Sequence, residues 1–336
     1  MKLKQIFNKY RNLKSYFHRK IICKGYPEVF NIELTNSCPM SCVMCPRRFM
    51  KRKVGFMKFE LFKKMIDQLN GYTYAIWLHH FGESLLHPKL KQMIGYAKLK
   101  KIKSQLSINP VLLTKTNIKK IKDLDYLHIS LDGTNEETYK KLRGKNADYE
   151  QAVSYIKNFL KLKKRPYTTV AIIKLKETEK ELEDFKKQWK DSGINNIEIK
   201  EFTTWDGSKK EITSLASDQQ FSEAHKKNLQ YPCLRPWHRF TVLWDGKVVP
   251  CCYDYDAKYV IGSVNEESIK EIWNNKKMQE LRRTLTDADF TANKLCASCI
   301  EGEGAPPSRI YPLDIVRKLF ELKPNKIITY FFKRST

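Results

Sequence analysis

Three thiols stand within eight residues, in the run Cys38-Pro-Met-Ser-Cys42-Val-Met-Cys45. At that spacing they can converge on one metal centre. Structural zinc usually takes four protein ligands, whereas a cuboidal iron–sulfur cluster has four irons to hold. Three Cys ligands leave one iron without a protein donor, and an open coordination position marks a reactive metal, as it does for catalytic zinc. A zinc site completed by His79 or His80 is the alternative that these residue types allow. Farther along come Cys233, Cys251, Cys252, Cys296 and Cys299. Four thiols from that group can close a full ligand set, around zinc in a ribbon or around a second cluster. Asp254 and Asp256 follow directly and could contact a substrate or take a proton. Cys23 stands alone and reads as a core or helix-face thiol.

The elements that must position these groups follow a regular alternation. Strands are predicted over 29–35, 76–81, 105–108, 126–131, 168–174 and 197–202, with helical patterns between them. The helices run over 61–69, 89–100, 115–122, 148–163 and 177–191. Six strands alternating with helices imply an α/β fold with a parallel sheet and right-handed crossovers. Such a sheet can curve into a partial (β/α)6 TIM-like barrel, whose reactive groups sit at the C-terminal ends of the strands. The first cysteine run lies just past the first of those ends.

The pattern stops near Gly207. A polar connector (207–230) leads to a small α+β region (231–304), where a strand over 239–243 meets Asp245-Gly246, a hairpin-turn dipeptide, and a second strand over 247–249. A helix carrying Ile269, Ile272, Trp273 and Leu281 on one side follows. Before the barrel (28–206), the segment 1–27 places Ile6, Tyr10, Leu13 and Phe17 at helical spacing among Lys and Arg. That amphipathic helix either packs on the domain or lies on a membrane surface.

The chain has 336 residues, 41% of them hydrophobic, which is enough for a real core and excludes wholesale disorder. No run of 18 apolar residues and no secretory signal occur, so a cytoplasmic location is expected. Nine cysteines in such a chain argue for metal or redox chemistry rather than disulfides. The net charge is +26, and half of the excess lies in residues 1–26 and the tail 307–336. Basic termini admit peripheral association with the anionic inner face of a membrane. A nucleic-acid module would instead interleave Lys and Arg with exposed aromatics along one face, and the sequence disfavours it.

The CxxxCxxC run after the first strand resembles the cluster motif of the radical S-adenosylmethionine (SAM) superfamily. The resemblance implies a [4Fe–4S] cluster on Cys38, Cys42 and Cys45 whose fourth iron chelates SAM. It implies reductive cleavage to a 5′-deoxyadenosyl radical, with the electron drawn from a reduced flavodoxin- or ferredoxin-type donor. Met44 stands where relatives often carry an aromatic. Phe81-Gly82-Glu83-Ser84 is similar to the GGEP-type motif that binds the SAM amino group; Gly82 and Glu83 match, and Phe81 and Ser84 depart. Asn109, Ser130 and Asp132 at strand ends, and Arg143 farther along after the fourth strand, match positions that lie near SAM in similar proteins, and a guanidinium suits its carboxylate.

The second cysteine set resembles the short Twitch form of the SPASM extension. This implies one auxiliary [4Fe–4S] cluster on Cys233, Cys251, Cys296 and Cys299. The Gly246-x4-Cys251 spacing favours Cys251 over Cys252 as the ligand. Cys252 is then a spare buried thiol, or a hydrogen donor to a substrate radical, which would make an epimerase. The expected reaction is dehydrogenation of a hydroxyl-bearing small molecule or sugar-like group, the auxiliary cluster accepting the second electron. Maturation of a peptide is the runner-up. It would ask for a docking domain before the barrel, where one short basic helix is expected instead.

Overall fold

Period-two alternation gives the strands two unlike faces, and the sheet inherits them. The computed structural model describes residues 3–216, 232–297 and 299. Strands β1 (Val29–Ile32), β2 (Ala75–Trp77), β3 (Lys103–Ile108), β4 (Tyr126–Ser130), β5 (Tyr167–Lys174) and β6 (Asn196–Glu201) lie parallel, each bonded to the next. One face sets Leu106 opposite Leu127 and Ile129 opposite Val170, all fully buried. Helices α2 (Phe59–Leu69), α3 (Leu90–Leu99), α4 (Lys115–Lys120), α6 (Tyr149–Leu160) and α7 (Leu182–Lys190) alternate with the strands, and four of them bury an apolar stripe. The opposite face is polar, with Ser107 opposite His128 and His128 opposite Thr169. Strand order is β6-β5-β4-β3-β2-β1, and the sheet remains open, as a partial barrel does.

Several strands are shorter than the apolar pattern predicts. β1 ends at Ile32 and β2 at Trp77. Beyond those points the chain leaves the ladder to form the loops that carry the cysteines and Gly82-Glu83. A helix absent from the sequence reading, α5 (Glu136–Arg143), follows β4. It buries only Tyr139 and Leu142, so its apolar signal is weak. Asn135 caps it, and acids in its first turn and bases in its last complement the helix dipole. The single helix expected around Ile269–Leu281 is two, Ile269–Trp273 and Lys276–Thr286. Asn275 ends the first by capping the second.

The hairpin region is not detached from the barrel sheet. Its first strand, β7 (Arg239–Val242), pairs in parallel with β1, and β8 (Lys247–Val249) and β9 (Gly262–Ser263) continue antiparallel. Phe30 of β1 meets Phe240 of β7 with ring centroids 5.4 Å apart, so one core serves both regions. Arg282 is fully buried and reinforces the seam, donating to the carbonyls of Pro236 (2.9 Å) and Ile21 (2.8 Å).

The amphipathic helix α1 (Leu3–Phe17) packs on the protein. Ile6 and Leu13 are each 4% exposed, and the Tyr16 hydroxyl donates to Pro232 O at 2.8 Å. Its apolar side is therefore taken by the fold and is not available for insertion into lipid. Among the described residues no helix is long and apolar enough to cross a membrane. The basic tail 305–336 and connector residues 217–230 lie outside the described residues.

Candidate active site

The loop after β1 places Cys38, Cys42 and Cys45 on the wall of a cavity of about 600 Å³. Four hydrogen bonds hold its backbone. Arg47 donates to Met40 O (3.0 Å), Asn146 to Pro39 O (2.6 Å), Val43 N to Leu142 O (2.9 Å) and the Trp205 indole to Met44 O (2.9 Å). Met44, in place of an aromatic, packs with Leu142, Leu175 and Phe202 in a small satellite core. Burial pushes the Cys45 thiol up to about 12 and the Cys38 thiol to about 11. Thiols so placed stay protonated until a cationic centre converts them to thiolates.

Strand ends supply the rest of the wall. Gly82 has φ +110°, and a Cβ there would lie 2.3 Å from Thr35 O and 2.6 Å from Asn36 Cα. Only glycine lets the β2 loop come that close to the cysteine loop. The next amide, Glu83 N, donates to Ser37 O at 2.7 Å. The Glu83 carboxylate accepts from Leu85 N (3.1 Å) and Asn109 N (2.9 Å). Burial raises it to about 7, against those N–H groups and Arg143. Asn109 accepts from Val111 N at 3.0 Å through Oδ1. Ser130 Oγ lies 3.3 Å from Ser107 Oγ. Arg143 donates to Ser130 O at 3.1 Å, pairs with Asp132, and sets Nη1 3.7 Å from Cys42 Sγ. Gly144 passes so near that a Cβ would sit 2.1 Å from Ser41 Oγ.

Two of the residues expected near SAM do not line the cavity. Ser84 Oγ donates to Leu78 O at 2.6 Å and is buried away from the cavity. Asp132 is also fully buried; it accepts from Ile173 N at 2.8 Å and holds Arg143. Each positions a neighbour rather than facing the cavity. Phe81, the other departure from the motif, has its ring 5.1 Å from Trp205 and 6.0 Å from Tyr255, bridging barrel and hairpin region.

The second cysteine set borders a smaller cavity with apolar walls of Leu281, Leu285, Phe290 and Leu295. Cys233, Cys251, Cys296 and Cys299 line it together. Cys252 faces the other way, into the large cavity, with Sγ 3.7 Å from Arg239 Nη1 and its carbonyl 2.8 Å from His80 Nε2. Arg235 and Tyr253 line both cavities, the guanidinium 4.1 Å from the ring centroid.

Asp254 does not line the large cavity. It is fully buried and accepts from Lys258 N (2.7 Å) and Tyr259 N (2.9 Å), so it shapes the loop and is not placed as an acid for substrate. Asp256 instead accepts from Lys51 N (2.7 Å) and Arg52 N (3.1 Å), joining the two regions.

Sequence reading missed a buried clasp beside the site. Arg52 makes a bidentate pair with Glu33 (2.7 and 2.9 Å), and His80 Nδ1 lies 3.4 Å from the same carboxylate. It also missed the cavity's basic lining, with Lys200, Arg235 and Arg239 contributed from β6 and the hairpin region. No spacing in the sequence joins these residues. His79 Nδ1 accepts from Ser107 N at 3.2 Å, and His80 is bound to Glu33 and Cys252, so neither ring is set to complete a zinc site. Among the described residues no three His, Cys, Asp or Glu groups close around a point fit for a single metal ion.

Both sites suit larger groups. Arg143 Nε and Asn109 Nδ2 are buried without a hydrogen bond, and both residues line the large cavity. A ligand rich in acceptors beside three thiols therefore fits there, as SAM on a cluster would. The second donor set, four thiols in an apolar pocket, fits a closed cluster.

The family described as the radical SAM superfamily matches residues 32–188, and SPASM, described as an iron-sulfur cluster-binding domain, matches residues 233–300. The chain is 24% identical over 283 residues to the S-adenosyl-L-methionine-dependent 2-deoxy-scyllo-inosamine dehydrogenase of Niallia circulans, covering 81% of this chain and 92% of that one. The solved structure of BtrN in complex with AdoMet and 2-DOIA matches with TM-score 0.52 at 18% identity, covering 81% and 92%. Streptococcus suis SuiB bound to precursor peptide SuiA matches with TM-score 0.64 at 11% identity, covering 82% and 72%. The structural likenesses speak for the fold. With both family matches falling on the two cysteine-bearing regions, the chain belongs to the radical SAM superfamily and carries a SPASM-type iron–sulfur domain.

Proposed function

We propose that this enzyme dehydrogenates a hydroxyl-bearing small molecule or sugar-like group. Cys38, Cys42 and Cys45 would hold the SAM-binding [4Fe–4S] cluster. Cys233, Cys251, Cys296 and Cys299 would hold one auxiliary cluster. When bound, these groups supply a 5′-deoxyadenosyl radical for hydrogen abstraction and an acceptor for the second electron. Gly82 brings its backbone, and Glu83, Asn109, Ser130 and Arg143 their polar groups, to the SAM side of the cavity. Ser84 and Asp132 act through the neighbours they hold. A reduced flavodoxin- or ferredoxin-type protein is the expected donor.

The observation that carries this reading is the shared wall. Arg235 and Tyr253 border both cavities, so one layer of side chains separates a substrate in the large cavity from the four-thiol pocket. An electron acceptor so near the abstraction site suits a two-electron oxidation. The relative from Niallia circulans is a dehydrogenase by name, in keeping with that chemistry.

A second reading has its own observation. Cys252 faces the large cavity and could return a hydrogen atom to the substrate radical, giving an epimer instead of a ketone. Turnover in D2O after anaerobic reconstitution separates the two. Dehydrogenation yields a product two mass units lighter with no solvent deuterium. An isomer carrying one deuterium would overturn the dehydrogenase reading in favour of epimerisation.

A further inference from the structure

The large cavity is lined by more cationic than anionic side chains. Six cationic side chains and two carboxylates line it. Arg143 is matched by Asp132, and the Arg235 guanidinium lies on the Tyr253 ring, 4.1 Å from its centroid. Of the carboxylates, Glu83 is engaged by two backbone amides, and Glu201 follows Lys200 at the end of β6.

Arg47 and Arg48 follow the cysteine loop, Arg47 donating to Met40 O at 3.0 Å and Arg48 lying 4.7 Å from the Phe49 ring centroid, and the two cations left stand on the two edges of the parallel run. Lys200 belongs to β6 and Arg239 to β7, the first and last parallel strands in the sheet order, yet both line one cavity. Curvature of the sheet has brought its two ends to a common space. Among the described residues no carboxylate pairs with Arg239, whose contact is Cys252 Sγ at 3.7 Å. Lys200 Nζ is 3.8 Å from Glu198, which is shared with His128. Between the edges stands His79. Its Nδ1 takes the Ser107 amide, so its remaining ring proton is on Nε2, a donor on the cavity wall. Burial, then Lys200, keep this ring neutral, its pKa lowered to about 3. Asn31 Oδ1, buried and without a hydrogen bond, lines the same wall and can accept from a hydroxyl.

We propose that the substrate of this cavity carries an oxyanion, a phosphate ester or a carboxylate, gripped by Arg239 and Lys200 with His79 donating, while Asn31 accepts from a hydroxyl. The proposal rests on the dehydrogenase reading for what becomes of that hydroxyl, but the anion site stands on geometry alone. A planar fork on one edge and an ammonium on the other suit a tetrahedral or planar oxyanion, and would repel an ammonium-bearing substrate.

The test is calorimetric titration of reconstituted, SAM-saturated holoenzyme at physiological ionic strength, with inorganic phosphate in one arm and malonate in the other. Binding of at least one probe near about 1 mM is expected. Arg239→Gln and Lys200→Gln should each weaken it about tenfold, and Arg239→Lys by less. SAM affinity should not change. Uncoupled 5′-deoxyadenosine formation reports that each variant is folded and cluster-loaded. Preference for phosphate or malonate identifies the ester or the carboxylate. No binding of either probe by a competent enzyme overturns the proposal, as does binding that both Gln variants retain or that SAM displaces. Failure to oxidise any substrate would sink the dehydrogenase reading and leave the anion measurement intact.

Discussion

The two cysteine regions are built in opposite ways. The first takes its thiols from one short loop, pinned by four hydrogen bonds, and opens on a polar cavity with buried donors left unpaired. The second gathers its thiols from positions 233 to 299 and walls them with leucine and phenylalanine. An open, polar site suits a metal centre that must bind a cosubstrate. A closed apolar pocket suits one that only holds charge, because excluding water and exchangeable ligands tunes a potential without inviting chemistry.

The largest effects should follow from removing the open site. Replacing Cys38, Cys42 and Cys45 together with Ala is expected to abolish 5′-deoxyadenosine formation while the second set keeps its iron, read by iron analysis and EPR. Measurable SAM cleavage by that variant would erase the distinction between the regions. Cys296→Ala with Cys299→Ala should do the reverse, sparing SAM cleavage within about twofold and removing oxidised product. Normal turnover would strip the closed pocket of its acceptor role.

The Arg52–Glu33–His80 clasp, whose Glu33 also accepts from Trp244 N of the hairpin region at 3.2 Å, offers a smaller, graded test. Burial pushes the Glu33 carboxyl up, but hydrogen bonds from His80 and Arg52 more than offset this and hold it below the usual carboxylate range. A carboxyl depressed in the folded state stabilises the fold above its unfolded pKa of about 4.3, and that contribution is lost as pH falls through the lower folded value. Glu33→Gln should cost on the order of 3 kcal/mol at neutral pH, with the gap from wild type closing under acid, as followed by chemical denaturation. A gap independent of pH would show that Glu33 acts by packing alone. At the open site, Gly82→Ala forces a Cβ against Thr35 O and should raise the SAM dissociation constant about 10- to 100-fold, since small misplacements of a binding loop are costly.

What the sequence made legible follows from which groups are neighbours along the chain. The strand–helix alternation could be read because each strand carries its own apolar period, as in Leu106–Ile108 and Leu127–Ile129. The Cys38–Cys45 loop and Gly82-Glu83 could be found because spacing alone marks them. Arg239 and Lys200 could not, because they meet only when a curved sheet brings β6 and β7 to one cavity. β7 reads as half of a local hairpin, and nothing in its four residues signals a parallel partner more than two hundred positions earlier. Asp254 was legible as an acid but not as an acceptor of two backbone amides, since that depends on the loop closing over it.

Cys252 is where the comparison becomes sharpest, because one peptide bond separates a thiol of the closed pocket from a thiol of the open cavity. Its direction is set by the His80 ring on its carbonyl and by Arg239 on its sulfur. If the enzyme dehydrogenates, that thiol is a bystander. Cys252→Ser should then keep both 5′-deoxyadenosine and oxidised product within about twofold of wild type, because the serine hydroxyl can replace the sulfur beside Arg239. If the enzyme epimerises, the same change removes the only hydrogen source facing the substrate among the described thiols outside the Cys38–Cys45 loop, and the radical must find another fate. The measurement is the ratio of 5′-deoxyadenosine to product in D2O. A ratio near one, with no deuterium in the product, keeps the two regions as opener and acceptor. A ratio that rises steeply for Cys252→Ser would mean that the closed pocket's neighbour, not the pocket, completes the reaction.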